Sequence, residues 1–375
     1  MATQTTTSVK HPSDINKPSE TKATTYINVA VAVIHYQNQY LLGFRDVLQH
    51  QGNRYEFVGG KIEGHETAKQ ALIREVSEET GIDIADNTNV KLGRLHHNYG
   101  DKQVCLQVYK VVLSAQQYET YKYRKQGLEG QALTWVDKSR LLAGEYHLPA
   151  ANKTILEWLR LPTQIAITYP LAHFGDVAQP AAWLQYHATH LAQDAWVYIR
   201  LKAVDLESSV EQLLRLRPDI HAILPAAFNN NEASVSEIAI NSQIAAKHLT
   251  QTQLMQWSSS HQSNKVSHYS IASSQSSRYA LIVSCHDTDS IYAANKLAHA
   301  RLQQQLPPVI GILLSPVLAT QTHPETAPLG WQAWEELAAL ADMPVIGLGG
   351  LSPMMSAQAE QYGGVAVAGI RHFLQ

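Results

Sequence analysis

Residues 60–82, GKIEGHETAKQALIREVSEETGI, restrict what this chain can fold into more than any other stretch. Thr67 followed by Gln70 forms a capping box that opens a helix, and Gly81 is placed to end it. Along that helix Glu75, Glu78 and Glu79 stand at i, i+3 and i+4, which turns three carboxylates to one side. Like charges at this spacing weaken a helix unless a cation sits among them. Clustered hard oxygen donors suit Mg2+, with Mn2+ as the alternative, and such ions bridge phosphate oxygens while keeping several waters. A merely solvated acidic face is the competing explanation, and a bare E-x-x-E-E would favour it. The longer pattern G-x5-E-x7-R-E-U-x-E-E-x-G-U, with U a bulky aliphatic, is met at Gly60, Glu66, Arg74, Glu75, Val76, Glu78, Glu79, Gly81 and Ile82. A chance match in a chain of this length is on the order of one in a million at average residue usage.

The 375 residues, 45% of them hydrophobic, are enough for sizeable cores and suggest two domains. A net charge of -3 gives no basic field for nucleic acid or a membrane surface. No apolar run of about eighteen residues occurs, so a spanning helix is not expected. The two cysteines, Cys105 and Cys285, have no metal-type spacing and suit a reducing compartment. Residues 1–25 lack the apolar core of a signal peptide and read as a disordered tail, so a cytoplasmic location is expected.

Periodicity divides the remainder. Strands are expected at 26–36, 39–44, 55–58, 90–96, 104–113 and 132–136, with a second helix at 152–161, so residues 26–161 form one β-rich domain that ends at Pro162. From residue 165 the pattern alternates strand and helix. Strands are expected at 165–168, 196–201, 238–240, 281–284, 309–314, 344–348 and 365–368, separated by amphipathic stretches, which suits a (β/α)8 barrel over 162–375. Residues 220–234 and the Ser-rich 258–278 read as insertions or mobile loops.

The motif at 60–82 is the signature of the Nudix hydrolases, and YEFVGGKIE at 55–63 resembles the 8-oxo-dGTP diphosphatase (MutT) branch. The spacing from Arg45 through His50 to Phe57, the pair Asp101-Lys102, Glu129-Gly130-Gln131 ahead of Trp135, and LPAAN at 148–152 match it in order. The resemblance implies a Nudix α/β/α sandwich and Mg2+-dependent hydrolysis of 8-oxo-dGTP to 8-oxo-dGMP and pyrophosphate. It further implies that Glu75, Glu78, Glu79, Glu129 and the carbonyl of Gly60 hold metal. Glu129 would alternatively activate water, Arg74 would orient the glutamates, and Glu66 would support the loop. Arg45, Phe57, Asp101, Lys102 and Asn152 would bind the nucleotide, with Asn152 offering a donor and an acceptor to the purine edge. Asn152 could equally cap the helix that follows it. Val58 and Lys102 depart from the branch, as does extra length around 116–126.

From about residue 165 the chain resembles the thiamine phosphate synthase and thiazole tautomerase (TenI) superfamily, through IRLK, HLTQTQL, SCHD, SPVLATQTHPETAPLGW, IGLGGL and VAGIRHF. The resemblance implies a TIM barrel binding a thiamine-related phosphate. Gly349, Gly350 and Gly369 lie where the last two strands should end and backbone N–H groups commonly hold phosphate. Arg200, Lys202, His286, Thr320 and Thr322 would complete a polar mouth. Ser242 and Gln253 stand where the synthases carry metal-binding aspartates, and Ser315 stands where the tautomerase has its histidine. Alternatives are therefore a hydrolase of thiamine-pathway pyrophosphates, or a barrel that only senses its ligand.

Overall fold

A computed structural model describes residues 25–48, 52–98, 102–175, 179–200, 207–228, 241–262, 278–321 and 324–374. The first half is a seven-stranded mixed sheet. Its strands are β1 (Thr25–Tyr36), β2 (Gln39–Arg45), β3 (Arg54–Glu56), β4 (Val58–Lys61), β5 (Asn89–Asn98), β6 (Lys102–Val112) and β7 (Ala132–Asp137). The order is β3-β2-β1-β6-β5, with β4 pairing β1 and β7 pairing β2; β1 and β6 are parallel. Four helices accompany it: α1 (Ala68–Thr80), α2 (Ala115–Tyr121), α3 (Lys138–Leu142) and α4 (Asn152–Leu159).

Alternation along β1 builds two cores. Ala30, Ala32 and Ile34 face α1 through Ala71, Leu72 and Val76, whereas Val31 and Val33 face Ala151, Ile155 and Trp158 around α4. The result is the expected α/β/α sandwich.

The second half is a closed barrel of eight parallel strands. These are β8 (Gln164–Ile167), β9 (Trp196–Tyr198), β10 (His221–Pro225), β11 (Ile244–Leu249), β12 (Leu281–Cys285), β13 (Val309–Leu314), β14 (Val345–Leu348) and β15 (Ala366–Gly369). The described helices between them are α5 (Pro180–His190), α6 (Glu207–Leu216), α7 (Gln251–Gln262), α8 (Thr288–Gln303), α9 (Gly330–Ala338) and α10 (Ser356–Gln361). β8 closes the ring by pairing with both β15 and β9.

Two expectations are corrected here. Residues 220–234 are not simply a mobile loop, because β10 occupies their start with Ala222, Ile223 and Leu224 fully buried. Residues 258–278 likewise begin within α7. β11 supplies a strand that the periodicity did not announce, and the strand expected at 238–240 lies outside the described residues.

The two halves share one apolar cluster, which runs from Val31 and Trp158 to Val309 and Leu313. Across that contact Trp158 Nε1 donates to Val309 O at 3.2 Å, Arg94 pairs with Asp342 at 2.9 Å, and Lys110 pairs with Glu360 at 2.7 Å. Lys91 Nζ donates to Ala339 O, and the backbone N–H of Arg94 donates to Asp342 O. No described helix is long and apolar enough to cross a membrane.

Candidate active site and barrel mouth

α1 forms as its sequence requires. Thr67 and Gln70 make the reciprocal capping box, and Gly81 ends the helix at φ 70° with its N–H bonded to Ser77 O. The helix runs beside β4, so the carboxylates of its exposed face meet the Gly59-Gly60 backbone. Glycine at position 60 lets the Glu75 carboxylate approach the backbone: a Cβ there would lie 2.2 Å from the carboxyl carbon of Glu75.

Arg74 organises one side of this face. Its Nε and Nη2 donate to Glu66 at 2.7 and 2.9 Å, its Nη1 to Glu75 at 2.8 Å and Glu78 at 3.0 Å, and its Nη2 to Lys61 O at 3.0 Å. These bonds hold the Glu66 carboxyl down at about 2 and raise the Arg74 guanidinium further. Glu79 stands apart from that cation. Its Oε1 accepts from Gly59 N at 3.3 Å and its Oε2 from Gln131 Nε2 at 3.3 Å. Burial, with the Glu56 and Glu129 charges adding to it, pushes Glu79 up to about 8. Burial also raises Glu75, with the charges of Glu78 and Glu129 contributing, and raises Glu56.

These glutamates therefore outnumber the cations that serve them. Such a donor set fits a hard divalent cation, because added positive charge would favour the ionised carboxylates that burial, and to a lesser degree their mutual repulsion, disfavours at Glu75 and Glu79. Among the described residues no group of three His, Cys, Asp or Glu side chains converges to hold a metal ion, and Arg74 is paired with both Glu75 and Glu78.

The expected nucleotide-binding residues divide. Phe57 is buried in the core. Arg45 pairs with Glu56 at 2.5 Å and so reaches the edge of the acidic cluster. Asn152 is only 7% exposed, and its backbone N–H donates to Pro149 O at 2.9 Å. It occupies the first turn of α4 rather than capping it, for Ala151 precedes the helix and no side chain caps it. His50 and Asp101 lie outside the described residues, as does the side chain of Lys102. Glu56 and Gln131 touch the site without having been given a role; the motif-flanking EFVGG and EGQ strings carried both.

At the barrel mouth, Thr168 Oγ1 accepts from the backbone N–H of Arg200 at 3.0 Å, and His286 Nδ1 lies 2.7 Å from Ser315 O. Gly349 and Gly350 adopt φ 99° and 70° and pack against Pro316, Leu318 and Ala319, close to Thr320 in sequence. A Cβ at Gly369 would meet the Phe373 ring at 2.5 Å. Lys202 and Thr322 lie outside the described residues. Gln253 makes a capping box with Thr250 at the start of α7, accepting from its N–H at 3.0 Å. Inside the barrel His248 Nε2 meets Ser284 Oγ at 2.8 Å and its ring packs on Tyr198 at 4.6 Å. Its Nδ1 is buried without a partner, and burial lowers the imidazole to about 4.

Known proteins divide the chain in the same way. The NUDIX domain profile matches residues 29–158, and the profile described as thiamine monophosphate synthase matches 194–373. An 8-oxo-dGTP diphosphatase of Escherichia coli K12 is 30% identical over 135 residues, spanning 36% of this chain and 96% of that protein. One from Proteus vulgaris is 36% identical over 86 residues, spanning 23% of this chain and 75% of that protein. A CTP pyrophosphohydrolase of Escherichia coli K12 is 31% identical over 137 residues, spanning 35% and 89%. With the signature intact on α1 and these relatives covered over most of their length, the chain belongs to the Nudix hydrolase family, its Nudix domain joined to a barrel of the TenI type.

Proposed function

We propose that the chain hydrolyses 8-oxo-dGTP to 8-oxo-dGMP and pyrophosphate, cleansing the nucleotide pool that feeds DNA synthesis, in the cytoplasm. Asn152 carries the substrate reading. The residue is only 7% exposed, and the adjacent donor and acceptor of its carboxamide match a purine edge. The two relatives named 8-oxo-dGTP diphosphatase support the same substrate.

In this reading Glu75, Glu78, Glu79 and Glu129, with the Gly60 carbonyl, hold Mg2+ or Mn2+. The bound ion would neutralise phosphate charge and lower the pKa of a bound water. Arg74 keeps Glu75 directed at the Gly60 backbone, and Arg45 and Phe57 border the nucleotide. Asp101 and Lys102 belong to the base pocket by resemblance alone.

The CTP pyrophosphohydrolase relative supplies a second reading, a pyrimidine nucleotide substrate. Steady-state rates on 8-oxo-dGTP, dGTP, CTP and thiamine diphosphate, with product identification, separate these readings. Preference for 8-oxo-dGTP over dGTP is expected, and Asn152→Ala should lower that preference by about 1–3 kcal/mol. A wild-type preference for CTP would overturn the substrate assignment.

For the barrel we propose binding of a thiamine-related monophosphate at Gly349, Gly350 and Gly369, assisted by Arg200, Lys202, His286, Thr320 and Thr322, without synthesis of thiamine phosphate. Gln253 supports this, because it is a neutral residue committed to capping α7.

A further inference from the structure

The segment between β6 and β7 is longer than the family resemblance leads one to expect, and it wraps the end of α1. Ser114 and Gln117 form a capping box that starts α2, while Gln117 Nε2 reaches Asp83 O at 2.8 Å. The chain then delivers donors in succession to the last carbonyls of α1. Tyr121 Oη donates to Gly81 O at 2.8 Å, Arg124 Nη1 to Thr80 O, and Leu128 N to Glu79 O at 2.7 Å. Helix ends carry such unsatisfied carbonyls and a partial negative charge, so this segment satisfies both needs.

Gln131 closes the wrap and differs from the rest. Its Nε2 lies 3.3 Å from Glu79 O and 3.3 Å from Glu79 Oε2, so it alone among these donors holds the side chain as well as the backbone. Both neighbours are acceptors, which fixes the orientation of the amide. Gly127 is what allows it to sit there: a Cβ at that position would come 2.5 Å from both Gln131 Oε1 and Glu79 O. Glu66, Glu75 and Glu78 are held by the Arg74 guanidinium, but Glu79 is held by two neutral donors, Gly59 N and Gln131 Nε2. A neutral donor fixes a carboxylate without spending the negative charge that a cation needs.

We propose that Gln131 is a positioning residue that aims the Glu79 carboxylate at the divalent ion, and that the segment from Ser114 to Gln131 exists to present it. This rests on the metal-site reading above but not on the identity of the nucleotide. Partners that orient a ligand typically contribute ten- to a hundredfold in metal affinity.

The test is Mn2+ binding to the full-length protein without nucleotide, followed by electron paramagnetic resonance, alongside melting temperature. Gln131→Leu should weaken Mn2+ binding roughly tenfold or more. Tyr121→Phe removes a bond to a backbone carbonyl only, so it should lower the melting temperature and leave Mn2+ affinity as in wild type. Weak Mn2+ binding by Gln131→Leu with no turnover of 8-oxo-dGTP by wild type would support Gln131 and refute the substrate. Wild-type Mn2+ affinity in Gln131→Leu would overturn the proposal while leaving the hydrolase reading intact. Equal loss of affinity in both variants, in step with melting temperature, would reduce Gln131 to a structural support and overturn it too. Absence of Mn2+ binding by wild type would overturn both readings.

Discussion

Gly60→Ala is expected to remove most hydrolytic activity while leaving the chain folded. The added methyl would lie 2.2 Å from the Glu75 carboxyl carbon and no more than 2.3 Å from either oxygen. Unbonded carbons settle at about 3.5–4 Å, so the carboxylate must retreat by more than about an ångström. Glu75 can give way because the clash is with the far end of a flexible side chain, tethered at its tip to Arg74. Stability should therefore fall little. The displaced group would no longer stand where the proposed metal site needs it, and a misplacement of about 1 Å costs on the order of a hundredfold in rate, or about 2.7 kcal/mol. Gly64→Ala is the internal control, since nothing lies within 4 Å of its Cβ position. The assay is pyrophosphate release under steady-state conditions, with circular dichroism melts of all three proteins. Wild-type turnover by Gly60→Ala, or equal losses in both variants, would refute the reasoning.

Other consequences are open to measurement. Glu79→Gln keeps shape but removes the charge of a proposed metal ligand, so turnover should fall on the order of a thousandfold at unchanged secondary structure; turnover that persists in EDTA would dispose of the metal assignment. His187 is buried, with Nε2 accepting from Tyr169 N at 3.0 Å, and burial lowers its imidazole to about 4. Its neutral form is therefore the folded one: its contribution is complete above pH 6.5 and is lost as pH falls towards 4, by about 3 kcal/mol. Chemical denaturation across that range should show a shallower acid loss for His187→Gln, and an identical pH profile would count against it. Full-length protein given hydroxymethylpyrimidine pyrophosphate, thiazole phosphate and Mg2+ should release no thiamine phosphate, and sustained product formation would contradict the role given to Gln253.

The acidic site was legible because helix periodicity and capping are local rules: Thr67, Gln70, Gly81 and the glutamate spacing specify α1 without tertiary help. The middle of the barrel was not. β10 has only five residues, so its apolar core of Ala222, Ile223 and Leu224 is too short to stand out from the polar stretch beyond it. β11 contains Lys247, which reads as exposed but is buried, its ammonium bonded to Phe228 O at 2.9 Å and set near the Phe228 and Tyr279 rings. Such a contact has no signature in sequence. α2 could have been found, since Ser114-x-x-Gln117 repeats the capping pattern that announces α1. The bond from Gln131 to Glu79 could not, because it joins positions 52 residues apart.

The placement of β5 at the end of the sheet order bears on why a barrel accompanies this hydrolase. A terminal strand offers unpaired backbone groups that recruit other chains into aggregates. Here Asp342 O takes the Arg94 N–H, and a Cβ at Gly93 would lie 2.6 Å from that oxygen and from the Trp158 ring. The barrel thus shields a sticky border and the Trp158 surface together. That service asks nothing of its mouth. The Nudix half expressed without the barrel should therefore self-associate through β5.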